Sequence, residues 1–154
     1  MISYEVSKAE LASIKANIRG VEKSLFDSTV LEKIALEIKQ RIKLRTQGGK
    51  DKNYKNFKKY SAGYAKKEKK TLVNMTQSAD MLNALTQKAM SNNTIKIFFD
   101  NDDAKELADI HINKGAGRGK VIRDFFGVNK KDKDLAFETY QKATAPELAK
   151  RGIS

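Results

Sequence analysis

Apolar residues recur at helical spacing in the first third of the chain. Leu11, Ile14, Ile18, Val21 and Leu25 are three or four residues apart and predict an amphipathic helix over 8–26, with Ser7 and Glu10 in capping-box spacing. Val30, Leu31, Ile34, Ile38 and Ile42 predict a second helix from Thr29 to Arg45, where Thr29 and Glu32 repeat that spacing. Gln47-Gly48-Gly49 ends it. Residues 46–77 then lack sustained periodicity, apart from a possible short helix at 61–70, and read as a long, partly ordered loop. Met81, Leu82, Leu85 and Ala89 predict a third helix over Ser78–Ala89, although a hairpin strand around Thr86–Met90 competes with its end. Ile95, Ile97 and Phe99 alternate with Thr94, Lys96 and Phe98, which is strand periodicity. Ser91-Asn92-Asn93 before that strand is a turn signal. Asp102–Ile112 reads as a short helix with Leu107 and Ile110 inward, Lys114–Gly119 as a flexible loop, and Val121–Phe126 as a further strand. A last helix starts near Lys131 and reaches Ala143; Pro146 ends or kinks it, and Thr144 and Glu147 suit the cap of a final turn. The expected fold class is α+β: N-terminal amphipathic helices packed on a small antiparallel sheet, a long basic loop and a C-terminal helix, in one domain over 1–154.

Composition narrows the chemistry. The chain has no cysteine, which removes thiolate zinc sites, disulfides and cysteine nucleophiles. No run of 18 apolar residues occurs, and the first residues do not read as a secretory signal, so the expected setting is the cytosol, away from membranes. Charge is concentrated. Of 31 Lys and Arg, 13 lie between Lys39 and Lys70 against two acids, Asp51 and Glu68; the remaining 18 bases nearly balance the remaining 17 acids. Such a field attracts polyanions, either nucleic acid or an acidic protein face.

Candidate catalytic groups are few. His111 is the only histidine, sits between Ile110 and Ile112, and has no Gly-x-Ser-x-Gly elbow to serve. Asp100, Asn101, Asp102 and Asp103 supply oxygen ligands but not calcium-loop spacing; a turn followed by a helix cap is the plainer reading. Gly115-Ala116-Gly117-Arg118-Gly119 lacks the G-K-[ST] of a phosphate loop. These features predict no enzyme, no cofactor and no metal; a hydrolase using Asp100, Asp102 or Asp103 ranks last. The stronger signal is Lys50, Lys52, Lys55, Lys58, Lys59, Lys66, Lys67, Lys69 and Lys70 interleaved with Tyr54, Phe57, Tyr60 and Tyr64, a partner- or DNA-facing surface. Arg is absent from 46 to 117, so any DNA contact is expected to be independent of sequence.

Four separated blocks resemble the phage virion-morphogenesis family, which includes Mu-like G proteins and related neck or tail-completion proteins. The first runs from Arg41 and Arg45-Thr46 through Gly48-Gly49-x-Asp51 to Phe57-x-x-Tyr60-Ser61-x-x-Tyr64. The second is Val73 to Leu85, with Met81-Leu82; the third is Ile110-His111-x-x-x-Gly115; the fourth is Arg123-Asp124-Phe125-Phe126-Gly127-Val128. They stand in the family's order across roughly 40–130, with Asp124 where Pro is usual and Ala79 where Gly is common. The resemblance implies an α+β structural subunit at the head–tail junction of a tailed phage or prophage, acting in head–tail joining or tail completion. Its implied partners are copies of itself in a six-fold ring, neighbouring neck, tail-tube or tail-terminator proteins, and the DNA passing through the channel without sequence specificity. The implied location is the virion neck or tail, after the host cytoplasm, and the Lys-rich loop is expected to order on assembly. A small, sequence-independent DNA-binding module is the alternative.

Overall fold

The computed structural model describes residues 3–6, 28–68, 72–73, 75, 79–90 and 94–150. Strand β1 (Ser3–Val6) precedes helix α1 (Ser28–Gln47), a short α2 (Ala62–Glu68) and a one-turn α3 (Ala79–Asn83). Strands β2 (Leu85–Met90) and β3 (Thr94–Phe99) follow, then α4 (Asp102–Asp109), a π-helical turn (Ile110–Lys114) and α5 (Lys130–Lys150). The architecture is α+β. The sheet is antiparallel with order β1-β3-β2; Ser3 stands opposite Phe98, and Leu85 opposite Phe99.

Hydrophobic burial explains the layering. Leu31, Ile34, Ile38 and Ile42 of α1 are at most 2% exposed and form one stripe against β2, β3 and α5. On β3, Ile95, Ile97 and Phe99 are fully buried, as their alternation requires. Met81, Leu82 and Leu85 fill the core from α3 and β2, and Phe99, Phe125 and Phe126 cluster with ring centroids 5.3–6.4 Å apart. Burial of one such large side chain stabilises by about 1.5–3 kcal/mol.

Several expectations need correction. The 8–26 helix, the 91–93 turn, Lys69 and Lys70 lie outside the described residues. Ser28 is already helical, so Thr29 is not the residue before α1; the Glu32 carboxylate accepts from the Ala89 N–H of β2 at 2.6 Å. The third helix stops at Asn83, because residues 85–90 satisfy their backbone groups against β3. In α4 Ala104 and Ala108 are buried and Leu107 packs half-buried against the core as expected, while Ile110, half-buried in the π-helical turn, is not part of that packing. Val121–Phe126 is not a strand: Val121 makes one isolated bridge to Ala116, and the Arg123 N–H leaves to donate to the His111 carbonyl at 2.7 Å. Helix α5 runs past Ala143 and through Pro146 to Lys150, so Thr144 caps nothing; its hydroxyl donates back to the Tyr140 carbonyl at 2.9 Å.

The stretch after α1 is built rather than loose. Asp51 accepts from the N–H groups of Asn53 and Lys55 through one carboxylate oxygen, each at 2.8 Å, closing a turn in which Tyr54 takes φ of 63°. Lys50 bridges Asn56, and the Phe57 N–H donates to Gly49 at 2.9 Å. Ser61 precedes α2; its carbonyl accepts from Ala65 at 2.9 Å and its hydroxyl from the Tyr64 N–H at 3.4 Å. Residues 48–68 are thus held by hydrogen bonds within the chain.

Candidate functional site

The blocks of the resemblance meet in two adjoining places. The first is a buried polar hub. Arg45, near the end of α1, is 5% exposed, and its Nη1 donates to Asp132 Oδ2 at 2.5 Å. Its Nη2 donates to the carbonyls of Phe125 and Gly127. Asp132, fully buried in the first turn of α5, also accepts from Arg41 Nε at 2.9 Å and from the Asn129 N–H at 3.0 Å. Asn129 returns the bond by accepting from the Asp132 N–H, a reciprocal cap of α5. Its side-chain amide donates to Lys52 O at 2.5 Å. The Lys52 N–H donates to Asp124 O, and the Lys52 ammonium pairs with the Asp124 carboxylate at 2.6 Å. Asp124, the departure from the resembled pattern, thereby gains a salt bridge. The Tyr54 hydroxyl accepts from Arg41 at 2.9 Å, and its ring lies under Lys131, 5.0 Å from the ammonium. The hub joins α1, the 50–55 turn, the Phe-Phe-Gly segment and α5.

Beside it opens a cleft of about 1120 Å³. Lys58, Lys59 and Lys67 line one wall; Arg118 and Arg123 line the other. Tyr60, Tyr64 and His111 are interleaved among them, and no acidic side chain is among the described residues that line it. Two glycine positions shape the second wall. Gly115 takes φ of 82°, and a Cβ there would run into the Lys120 backbone, so the chain turns tightly and Ala116 pairs with Val121. Gly117, with φ of 70°, faces open space. The segment expected as a flexible loop is a defined turn.

Arg123 is the unusual member. It is 6% exposed, and its guanidinium lies 5.3 Å from the centroid of the Tyr60 ring, which in turn tilts against Tyr64 at 4.8 Å. Its Nε has no hydrogen-bond partner, and no described carboxylate pairs with it. The cation–π contact returns about 0.5–2 kcal/mol. A desolvated ion costs several kcal/mol, so the contact leaves a deficit that an entering anion would offset. Burial and the Arg123 charge hold the His111 imidazole down at about 4, so it is neutral at pH 7, and its Nδ1 is buried without a partner. Burial raises the Tyr60 phenol against the opposing effect of Arg123.

The residues singled out in the sequence therefore divide. Arg45, Asp51, Phe57, Phe125, Phe126 and Gly127 belong to the hub and the core beneath it, and Met81 and Leu82 to the core. Tyr60, Ser61, Tyr64, His111 and Arg123 line the cleft, and Gly115 shapes its wall. Of the basic surface, Lys58, Lys59 and Lys67 reach the cleft, Lys52 is engaged by Asp124, and Lys50 donates to Asn56 at 2.5 Å. Lys55 and Lys66 are exposed and do not line the cleft. Sequence reasoning missed Asp132 and gave Arg118 no binding role, while Arg123 stood out only as a position of the fourth block. In the acidic cluster, Asn101 caps α4 by accepting from Ala104 at 2.8 Å, and Asp102 pairs with Lys105. No group of three His, Asp or Glu side chains converges among the described residues. A scan against protein-family models, a search of curated proteins and a search of solved structures return no match.

Proposed function

We propose that the chain is a structural subunit of a tailed-phage or prophage virion, acting as one copy in a ring at the head–tail junction, in head–tail joining or tail completion. The observation that carries this reading is convergence. Arg45 and Asp51 of the first resembled block, His111 and Gly115 of the third, and Arg123 to Gly127 of the fourth are far apart in sequence. Direct contacts nevertheless link Arg45 to Phe125 and Gly127, and both His111 and Tyr60 to Arg123, beside the core. Such a network is what a shape-preserving signature requires, since each member fixes the position of another element. The proposal assigns the chain no reaction, cofactor or metal. Its partners are further copies of itself, neighbouring neck or tail proteins, and DNA in the channel facing the basic surface. A sequence-independent DNA-binding module is the second reading, favoured by the concentration of charge between Lys39 and Lys70.

Solution mass tests the two. Light scattering without DNA is expected to give a closed ring, about 104 kDa for six copies of the 17.3 kDa chain. A monomer that coats duplex DNA, losing affinity steeply with salt, would instead establish the binding module. A single copy per purified virion would refute the ring.

A further inference from the structure

We infer that the cleft between the 58–67 segment and the 116–123 turn is a groove for a single-stranded nucleic-acid backbone, with the buried Arg123 guanidinium receiving a phosphate at its floor. The inference goes beyond the ring proposal and stands whether or not the chain assembles. It rests on three observations. Five cations on two facing walls have no acid among the described lining residues, so the groove presents uncompensated positive charge. Arg123 is nine-tenths buried, lines the groove and has an unpartnered Nε. Nothing lies within 4 Å of where a Cβ would stand on Gly63 or Gly117, one on each wall, which leaves room for a backbone to approach closely.

The chemistry of the walls favours a phosphodiester chain over an acidic peptide. A peptide in a groove is usually anchored by apolar pockets or by an open strand edge. Here the aliphatic side chains among the described lining residues are Met75, Val121 and Ala116, with the faces of Tyr60 and Tyr64 beside them, and cations recur along both walls. A polymer with one charge on every unit meets such a row in any register, so binding is independent of sequence. The same geometry favours one strand over two. At 6% exposure Arg123 is reached only by a chain slim enough to enter, and a duplex would rest on the rim. Tyr64 lines the groove and supplies an aromatic surface for a base.

The test is fluorescence anisotropy of the full chain with a labelled oligothymidylate of about 20 nucleotides and a mixed-sequence duplex of equal length, a span that exceeds one groove. The single strand is expected to bind on the order of tenfold tighter than the duplex. A cleft triple variant, Lys58→Ala, Lys67→Ala and Arg118→Ala, removes three exposed cations. It is expected to weaken single-strand binding on the order of tenfold and to flatten the salt slope by about 2, roughly 0.7 for each lost contact. A control triple variant, Lys33→Ala, Lys88→Ala and Lys142→Ala, removes the same charge from exposed positions off the groove and outside the 39–70 basic stretch, and is expected to leave affinity within about twofold. Arg123→Gln should abolish the preference for a single strand; if it does not fold, the cleft triple decides. Equal losses in the two triples, or equal affinity for duplex, would overturn the inference. So would binding of polyglutamate without binding of the oligonucleotide, which would mark an acidic protein partner. Ring formation is read separately by mass, so failure of either idea leaves the other standing.

Discussion

Replacing Asp132 with Asn keeps the shape of the side chain and removes its charge, which makes it a direct probe of the hub. The carboxylate is fully buried and faces two guanidinium groups, Arg45 at 2.5 Å and Arg41 at 2.9 Å, as well as the Asn129 N–H. In Asp132→Asn, Arg45 becomes a buried cation whose remaining hydrogen bonds go to the neutral carbonyls of Phe125 and Gly127. Breaking a buried pair from one side costs about 3–5 kcal/mol, a large part of the roughly 5–15 kcal/mol that stabilises a domain. At about 2–4 °C per kcal/mol for this chain length, the melting temperature should fall by roughly 6–20 °C. Urea unfolding followed by circular dichroism at pH 7 should show a lower midpoint at an unchanged slope. Because the pair is buried, 0.5 M salt (roughly a half-molar screen) should alter the loss little. The double variant Arg45→Met, Asp132→Leu should lose less than the sum of its single variants, with a coupling above about 1 kcal/mol. A loss below about 1 kcal/mol for Asp132→Asn, or strict additivity in the cycle, would refute the claim that this pair ties α1 to α5.

Two further perturbations test the cleft and its turn. His111 is held at about 4 in the fold against an ordinary 6.5, so between these values the unfolded chain binds a proton that the folded chain refuses. Stability contributed by His111 is therefore full above pH 6.5 and is lost as pH falls towards 4; His111→Gln should flatten that part of the curve, and the imidazole resonances should titrate near 4 by NMR. Gly115→Ala should destabilise by about 1–3 kcal/mol, since it combines positive φ with a clash against the Lys120 backbone, whereas Gly63→Ala, in α2 with open space around it, should stabilise by up to about 1 kcal/mol; thermal melts of both check the difference.

What could be read in advance follows from where each element finds its partners. Helix α1 and strand β3 carry their burial in their own periodicity: Ile34, Ile38 and Ile42 on one, Ile95, Ile97 and Phe99 on the other. Strand β2 does not. Leu85-Thr-Gln-Lys-Ala-Met is as helical as it is extended, and pairing with β3 decides the matter. Strand β1 spans four residues, too few for alternation to register. The strand expected at 121–126 does not form, because those peptide groups serve His111 and Arg45 instead of a neighbouring strand. The hub was half legible. Arg45, Phe125 and Gly127 stood out through the resemblance, yet nothing in sequence separates the buried Asp132 from the exposed Asp134 two residues on. The cleft was also half legible: the Lys-rich wall announced itself by density of charge and Arg123 stood out through the resemblance, whereas nothing in the glycine-rich stretch around Arg118 shows that folding brings it across to them.

The 87-residue separation of Arg45 and Asp132 also imposes an order on synthesis. At roughly 5–20 residues per second, Arg45 leaves the ribosome about 4–17 s before its counter-ion is made. During that interval the end of α1 has neither Asp132 nor the Phe125 and Gly127 carbonyls, and its apolar stripe lacks the β3 face, which is itself more than 45 residues away. The nascent N-terminal half thus carries the α1 stripe and the cations of 39–70 before the β3 face and Asp132 exist, and the hub closes only once α5 emerges.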